Sequence, residues 1–278
     1  MDSFTSLRSI ERQISRLMLK QVTSDDDKLV YDAFCANDIR QASQAIRSAK
    51  NGDVVYQHLS LRFGGNGEQS VFEFDLSEPM RSCLDLFSLY LALRQVHFQL
   101  ETFHPDLISE LVVPLHINAV QWPDASRLWR QILRQHRKEL VHLIPSIQFN
   151  PGESPQDLHS SLAPLRELTH ALWYEIRSPE QVLEPLATDK PDAIKLSLSL
   201  ETKHDREALL PVLKFLRRHK LTWVAARVGC QNELNQFKML GATYYFGYFS
   251  DIPVLQGFKS LNQPVDNSWL DASSDSIH

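Results

Sequence analysis

From about residue 50 onward, the sequence alternates between short apolar runs typical of buried strands and longer amphipathic runs typical of helices. The strand-like runs include "LVVPLHINA", "LIPSIQF", "AIKLSLS", "LTWVAARV" and "ATYYFGYF", and helix-like runs such as "DREALLPVLKFLRRH" stand between them. Repeated strand-then-helix units of this number favour parallel strands closed into a barrel. The pattern therefore predicts an α/β protein with a TIM-like (β/α)8 barrel, whose functional side chains lie at the carboxyl ends of the strands.

The barrel is expected to open with a hairpin. The runs "DVVYQHLSLRF" and "QSVFEFDLS" both have strand character, and "GGNG" lies between them. Glycine and asparagine tolerate the positive φ angles of tight hairpin turns. The sequence therefore predicts that these two runs pair as the first two strands.

The first 49 residues follow a different pattern, which predicts a helical extension ahead of the barrel. Apolar residues at helical spacing mark one face of its first segment: Phe4, Leu7, Ile10, Ile14, Leu17 and Met18. A second helix is expected over "YDAFCANDIRQASQAIRSA", and residues 29–49 are expected to pack on the barrel. For residues 4–18, cover by a partner or a second copy is favoured over cover by the barrel. The boundaries are 1–49 for the extension, 50–260 for the barrel and 261–278 for a polar tail.

Charge and composition exclude several classes of protein. A formal net charge of −5 leaves no bulk positive field, so direct nucleic-acid binding is not expected. No run approaches the roughly 20 apolar residues that cross a bilayer, and the N-terminus lacks an apolar signal core. The cysteines Cys35, Cys83 and Cys230 are odd in number and far apart, which favours reduced thiols. We therefore expect a cytoplasmic protein without a membrane segment.

Four segments resemble the EAL-domain family, the cyclic-di-GMP phosphodiesterases, over roughly residues 50–258. "LGATYYFGYFSDIP" resembles the closing "LG-x-x-x-x-QGY-x-x-x-x-P" of the family, with matches at Leu240, Gly241, Gly247, Tyr248 and Pro253. "VYQHLSL" resembles the opening "YQP" strand, "PLHINAVQW" the "VNLS" strand and "PDAIKLS" the "VD-x-x-KID" strand. The resemblance implies a modified TIM-like barrel of EAL type.

The resemblance also implies which polar residues remain at the barrel mouth. An EAL enzyme holds two divalent cations on carboxylates and an asparagine, and these cations activate a water that attacks the phosphodiester. The signature glutamate of the family falls on Glu73 and the asparagine of "VNLS" on Asn118. One acid of "DDFGTG" falls on Glu175, and the lysine that orients the water falls on Lys195. These four residues are expected to remain at the barrel mouth as vestiges of the family's site. An ion pair between the lysine and a carboxylate, with hydrogen bonds to the amide, is favoured there over a residual site for an anion.

Most other functional positions of the family are occupied by different residue types. Acids of the family fall on Gln148, Tyr174 and Ser197, the glutamates of "EGVE" on Ala226 and Gly229, the glutamine of "QGY" on Phe246, and the arginine that holds substrate phosphate on Ser77. Hard cations require oxygen ligands, so we expect no metal, no cofactor and no phosphodiesterase activity. Since Ser77 cannot hold a phosphate as arginine does, cyclic-di-GMP binding is expected to be weak.

These observations predict a catalytically inactive EAL-like regulatory protein that acts by protein–protein interaction in the control of motility, biofilm formation or related gene expression. The expected partner is a transcription regulator or signalling protein, and self-association is also possible. Two alternatives stay open: a cyclic-di-GMP receptor that does not hydrolyse its ligand, and a factor that influences regulatory RNA turnover through a bound partner. The basic helix faces within 130–139 and 214–220 are either solvated or contacts for an acidic partner.

Overall fold

A computed structural model describes residues 3–64, 69–150, 158–179, 183–198 and 202–256. The strands are β1 (Ile39–Ser48), β2 (Val54–Phe63), β3 (Gln69–Ser70), β4 (Leu111–His116), β5 (Leu143–Gln148), β6 (Trp173–Ile176), β7 (Ala193–Leu196), β8 (Trp223–Ala225), β9 (Tyr244–Tyr245) and β10 (Val254–Leu255). The helices are α1 (Ser3–Lys20), α2 (Asp25–Cys35), α3 (Glu78–Thr102), α4 (Ile117–Gln121), α5 (Ser126–Gln135), α6 (Arg137–Leu140), α7 (Leu158–Leu168), α8 (Glu184–Asp189), α9 (Lys203–Arg218) and α10 (Gln231–Leu240).

Eight of these strands form a closed barrel. Strands β2 and β4 to β9 pair in parallel, each with the next along the sheet. Strand β1 closes the ring because it pairs antiparallel with β2 on one side and with β9 on the other. The predicted (β/α)8 barrel is therefore confirmed, in a modified form with one antiparallel strand.

Side chains alternate between the interior of the barrel and the layer beneath the helices, as strand geometry requires. An apolar cluster fills the lower interior: Ile46, Val112, Ile144, Trp173, Ala193, Val224, Ala226 and Phe246. Intervening residues such as Leu111, Ile147 and Tyr174 belong to the larger core outside the barrel. The alternation places a polar layer above the apolar cluster, near the carboxyl ends of the parallel strands.

Strand β1 corrects the prediction for the second half of the N-terminal extension. The expected helix over residues 31–49 is wrong from Ile39 to Ser48, where the chain is a strand and the barrel has already begun. Its turn into β2 contains Gly52, with a φ of +81°. In the strand, the buried side-chain amide of Gln41 donates to the carbonyl of Ser88, which is distant in sequence. Tertiary pairing thus overrides the helical propensity of this polar segment.

The predicted hairpin is present only as a short antiparallel pairing of β2 with β3, at Arg62–Ser70 and Phe63–Gln69. Strand β2 pairs chiefly with β1, and β3 is limited to two residues before a 3-10 turn over Val71–Glu73. Residues 65–68, which contain most of the predicted "GGNG" turn, and the predicted tail over 261–278 lie outside the described residues. The first antiparallel pair of the barrel therefore lies one strand earlier in the sequence than expected.

Helix α1 covers its own apolar stripe by packing on the barrel helices. Leu7, Ile10, Ile14 and Met18 are at most 1% exposed, in contact with the elements α3 and α5. The Ser6 hydroxyl donates to Gln135 Oε1 at 2.6 Å, which fixes the helix to the end of α5. The expectation that a partner or second copy covers this stripe is therefore wrong.

Among the described residues, no helix combines the length and apolarity needed to cross a bilayer.

We predict that Ile14→Ala lowers the free energy of unfolding by about 2–5 kcal/mol, because it opens a cavity beneath α1. Urea denaturation followed by circular dichroism measures this loss. Leu19→Ala on the same helix is the control, since Leu19 is 58% exposed and its truncation should cost less than about 0.5 kcal/mol. Equal losses in the two variants would contradict the packing of α1 on the barrel.

Candidate ligand site at the barrel mouth

A cavity of about 780 Å³ opens at the carboxyl ends of the parallel strands. Its walls come from the strand ends of β2 and β4 to β9 and from the first turns of α3. The residues that matter for its chemistry are His58, Arg62, Glu78, Arg81, Asp85, His116, Gln148, Glu175, Arg177, Lys195, Ser197, Ala226, Arg227, Phe246 and Tyr248. This is the place where a barrel of this type presents its functional side chains.

A buried ion pair between Glu175 and Lys195 occupies the centre of the mouth. The two residues lie opposite each other in the β6–β7 ladder, both 3% exposed, with Lys195 Nζ 2.8 Å from Glu175 Oε2. Gln148 Nε2 donates to the same oxygen at 2.9 Å, and the Ser197 hydroxyl donates to Oε1 at 2.7 Å. Arg177 Nε lies 3.5 Å from Oε1. Both carboxylate oxygens are therefore engaged by side chains of the barrel.

The electrostatics of the mouth follow from this pairing. Burial alone would raise the pKa of Glu175, but the charges of Lys195 and Arg177 and the hydrogen bonds outweigh burial and hold this pKa at about 2. Burial lowers the pKa of Lys195, while Glu175 opposes that shift. Burial and the nearby Lys195 lower the pKa of His58 well below its ordinary value. A neutral His58 can accept a hydrogen bond from Lys195 Nζ, which lies 3.2 Å from its Nε2.

The structure brings only some of the predicted site residues together. Glu175, Lys195, Gln148, Ser197, Ala226 and Phe246 all line the cavity. Tyr174 points outward instead, and its hydroxyl bonds to Asp189 beneath the helices. Gly229 follows β8 and donates its backbone N–H to Glu233 at the start of α10. The predicted residues of β5 to β9 therefore lie at the cavity wherever the side chain faces the interior of the barrel.

Glu73 and Ser77, expected at the mouth, do not line the cavity. Glu73 is exposed in the 3-10 turn after β3, and Ser77 caps the N-terminus of α3. Because the barrel hairpin lies one strand earlier than predicted, a different pair with the same four-residue separation faces the mouth, namely His58 and Arg62 of β2. The ring of His58 stacks on Phe246 at 4.6 Å, and Arg62 Nη2 donates to the Tyr248 hydroxyl at 3.1 Å.

Asn118 likewise lies outside the cavity lining. It sits in α4, where its amide bonds to Glu78, whereas His116 ends β4 and lines the mouth. His116 Nε2 is 3.1 Å from Asn150 Oδ1, and the His116 backbone N–H donates to Asp85 Oδ2 at 2.7 Å. The period-two alternation along "LVVPLH" is the signal that would have selected His116.

The donor set at the mouth does not fit the two divalent cations implied by the resemblance. Hard cations require several free oxygen ligands. Among the described strand ends that face the interior, Glu175 is the residue that carries a carboxylate. Its oxygens already bond to the ammonium of Lys195, the amide of Gln148 and the hydroxyl of Ser197. No cluster of three His, Cys, Asp or Glu side chains suited to a metal occurs in the described part of the chain.

The rim of the cavity favours anions. Five cationic residues line it, namely Arg62, Arg81, Arg177, Lys195 and Arg227, against three carboxyl residues, namely Glu78, Asp85 and Glu175. Burial raises the pKa of Asp85 to about 7, partly offset by the His116 N–H and Arg177, so this carboxyl carries only part of a charge at neutral pH. The sequence analysis did not identify Asp85, His116 or Arg227 as site residues. Arg227 occupies the position of the glycine in the "EGVE" segment of the family.

We predict that Asp85→Asn changes the pH dependence of stability. A carboxyl whose pKa rises on folding stabilises the fold below its unfolded pKa, and this stabilisation is lost as pH rises to about 7. The variant should therefore gain roughly 2–3 kcal/mol relative to wild type between about pH 5 and pH 8. Urea titrations at both pH values test this, with the exposed Asp124→Asn as control. A pH-independent difference would contradict the burial of Asp85.

No family model and no curated protein matches this sequence. Among solved structures, the fold of this chain resembles that of Vibrio cholerae LapD S helix-GGDEF-EAL bound to c-di-GMP, with a TM-score of 0.65 and 17% identity over 80% of this chain and 56% of that one. It resembles Bacillus subtilis YkuI, which has an EAL domain and is in complex with substrate c-di-GMP and calcium, with a TM-score of 0.64 and 19% identity over 82% of this chain and 58% of that one.

The third comparison is the PaMucR phosphodiesterase in its c-di-GMP complex, with a TM-score of 0.65 and 19% identity over 82% of this chain and 97% of that one. The chain thus spans little more than half the length of the LapD and YkuI structures and nearly all of the PaMucR structure. At these identities the likeness concerns the fold. The chain has the modified (β/α)8 barrel fold of the EAL domains.

Proposed function

We propose that this chain is a catalytically inactive regulatory protein of EAL fold, which binds an anionic ligand of the cyclic-dinucleotide class without hydrolysing it. The observation that carries the proposal is the Glu175–Lys195 pair: at the place where the fold presents its chemistry, an internal ammonium neutralises the carboxylate. Hydrolysis of a phosphodiester at such a site would require an activated water. The mouth offers cationic binding groups and holds its central carboxylate in hydrogen bonds.

The class of ligand is suggested by two independent observations. LapD and YkuI, whose folds resemble this one, are described with c-di-GMP bound. The sequence-based expectation of weak binding rested on Ser77, but Arg62 is the residue that lines the mouth four positions after His58. An arginine can hold a phosphate through two parallel hydrogen bonds. We therefore favour the hypothesis of a receptor that does not hydrolyse its ligand over the hypothesis of a barrel that binds no small ligand.

We expect purified protein to bind cyclic-di-GMP with a Kd below about 10 µM, about 7 kcal/mol, and to release no linear product in Mg²⁺ or Mn²⁺. Isothermal titration calorimetry and chromatography of the nucleotide measure the two properties. Arg62→Ala should weaken binding at least tenfold, about 1.4 kcal/mol, whereas the exposed Arg130→Ala on α5 should not. Product that disappears on chelation would refute catalytic inactivity, and a silent titration would refute the ligand.

A protein partner is the second component of the proposal, and the surface between α9 and α10 favours it. Leu210 is 48% exposed and Met239 81% exposed, and with Leu213 they line an apolar groove of about 360 Å³. Basic residues Lys214 and Arg217 follow on α9. An apolar groove beside positive charge suits an amphipathic helix with acidic flanks. A cytoplasmic transcription regulator or signalling protein could present such a helix.

We predict that Leu210→Glu combined with Met239→Glu abolishes recovery of a partner in pull-downs while leaving the melting temperature within about 2 °C of wild type, since both side chains lie on the surface. Val141→Glu is the matched control, because Val141 is also 48% exposed but lies after α6. A partner recovered equally by all three proteins would place the protein contact elsewhere on the barrel.

A further inference from the structure

Arg227 has an unusual backbone conformation that is not part of a helix end. Four non-glycine residues of the described chain have positive φ: Asn37, Lys190, Lys220 and Arg227. The first three follow the C-terminal ends of α2, α8 and α9, where a left-handed residue is the common way to end a helix. Arg227, with a φ of +61°, follows strand β8 at the mouth instead. Strained residues outside such caps cluster at binding sites.

The loop around Arg227 is fixed on both sides. The backbone N–H of Ala226 donates to the Leu196 carbonyl at 2.9 Å, and the N–H of Val228 donates to the Phe246 carbonyl at 3.1 Å. Gly247 packs so closely that an added Cβ would lie 2.2 Å from the Val228 carbonyl oxygen. These contacts hold residue 227 in the left-handed region, where a side chain with a Cβ is disfavoured. A glycine would fit this backbone better than the arginine that is present.

The Arg227 side chain is available to a ligand. It is exposed, lines the cavity, and makes no hydrogen bond or ion pair with the described residues. Its charge is close enough to Lys195 to disfavour protonation of that amine. Arg62 of β2 lines the same cavity, where its Nη2 donates to the Tyr248 hydroxyl. Two guanidinium groups therefore face this cavity.

We propose that Arg227 is a ligand for a phosphate or phosphodiester group, and that guanidinium groups at this mouth hold the anion without a divalent cation. The proposal deepens the function proposed above, since it names the group of the mouth that recognises the ligand. Guanidinium matches the geometry of phosphate oxygens and remains charged at all accessible pH values. Binding of a phosphate group by Arg227 explains why an arginine occupies a backbone conformation that favours glycine.

The test compares Arg227→Gly with Lys220→Gly. Both substitutions remove one positive charge and relieve a left-handed residue, but Lys220 caps α9 and does not line the cavity. Each protein is titrated calorimetrically with cyclic-di-GMP and, separately, with inorganic phosphate, in EDTA and in excess MgCl₂. We expect Arg227→Gly to weaken binding at least tenfold and Lys220→Gly to change it less than twofold. The wild-type affinity should be the same in both buffers within twofold.

The outcomes separate this proposal from the proposed function. If wild type binds cyclic-di-GMP and Arg227→Gly binds it equally well, Arg227 is not the ligand although the receptor function stands. If wild type binds inorganic phosphate alone and Arg227→Gly loses it, the dinucleotide is wrong and the anion site stands. Binding that requires Mg²⁺, or no binding of either probe, overturns the inference. Thermal melts confirm folding, and neither glycine variant should melt below wild type, since both relieve strain.

Discussion

The hydrogen-bond ladders that β1 makes with β2 and β9 close the barrel, and the arrangement of every functional side chain depends on that closure. The strand is largely polar, so burial of apolar surface alone does not hold it. A bidentate contact between Arg47 and Asp251, with both N–O distances at 2.7 Å, attaches β1 to the segment after β9. Gln44 also donates to the Asp251 carbonyl at 2.7 Å. Charge-assisted bonds of this kind give the seam geometric specificity.

The closed ring buries the Glu175–Lys195 pair at the floor of the cavity, with both side chains 3% exposed, and this pair determines the electrostatics of the mouth. Removing two opposite charges from water costs free energy that their attraction offsets only when the remaining hydrogen-bonding groups are also satisfied. Gln148, Ser197 and His58 supply those partners. The paired charges cancel at the centre of the mouth, and the arginines Arg62, Arg81, Arg177 and Arg227 surround that centre.

The predictable and unpredictable parts of this molecule differ for physical reasons. Strands β4 to β8 are buried on both faces, so their continuous apolar runs identified them as strands. The family resemblance then selected Glu175 and Lys195 on β6 and β7, and both side chains line the cavity. Strand β1 carries glutamines and arginines whose partners are distant in sequence, and a helical pattern described it equally well. That single error moved the expected mouth residues from His58 and Arg62 to Glu73 and Ser77. The left-handed conformation of Arg227 depends on contacts with residues 246–249, which no local pattern contains.

The antiparallel direction of β1 determines at which end of the barrel the N-terminal helices lie. Its first residue, Ile39, lies opposite Phe63 at the carboxyl end of β2, so the chain enters the barrel at the rim of the cavity. Helix α2 precedes that entry, and Asp27 accepts the backbone N–H of Ser77 at 3.0 Å beside the same rim. A barrel of eight parallel strands would instead receive its first strand at the opposite end. Here the N-terminal helices and the cavity share one boundary, where α2, the start of β1 and the N-terminus of α3 meet.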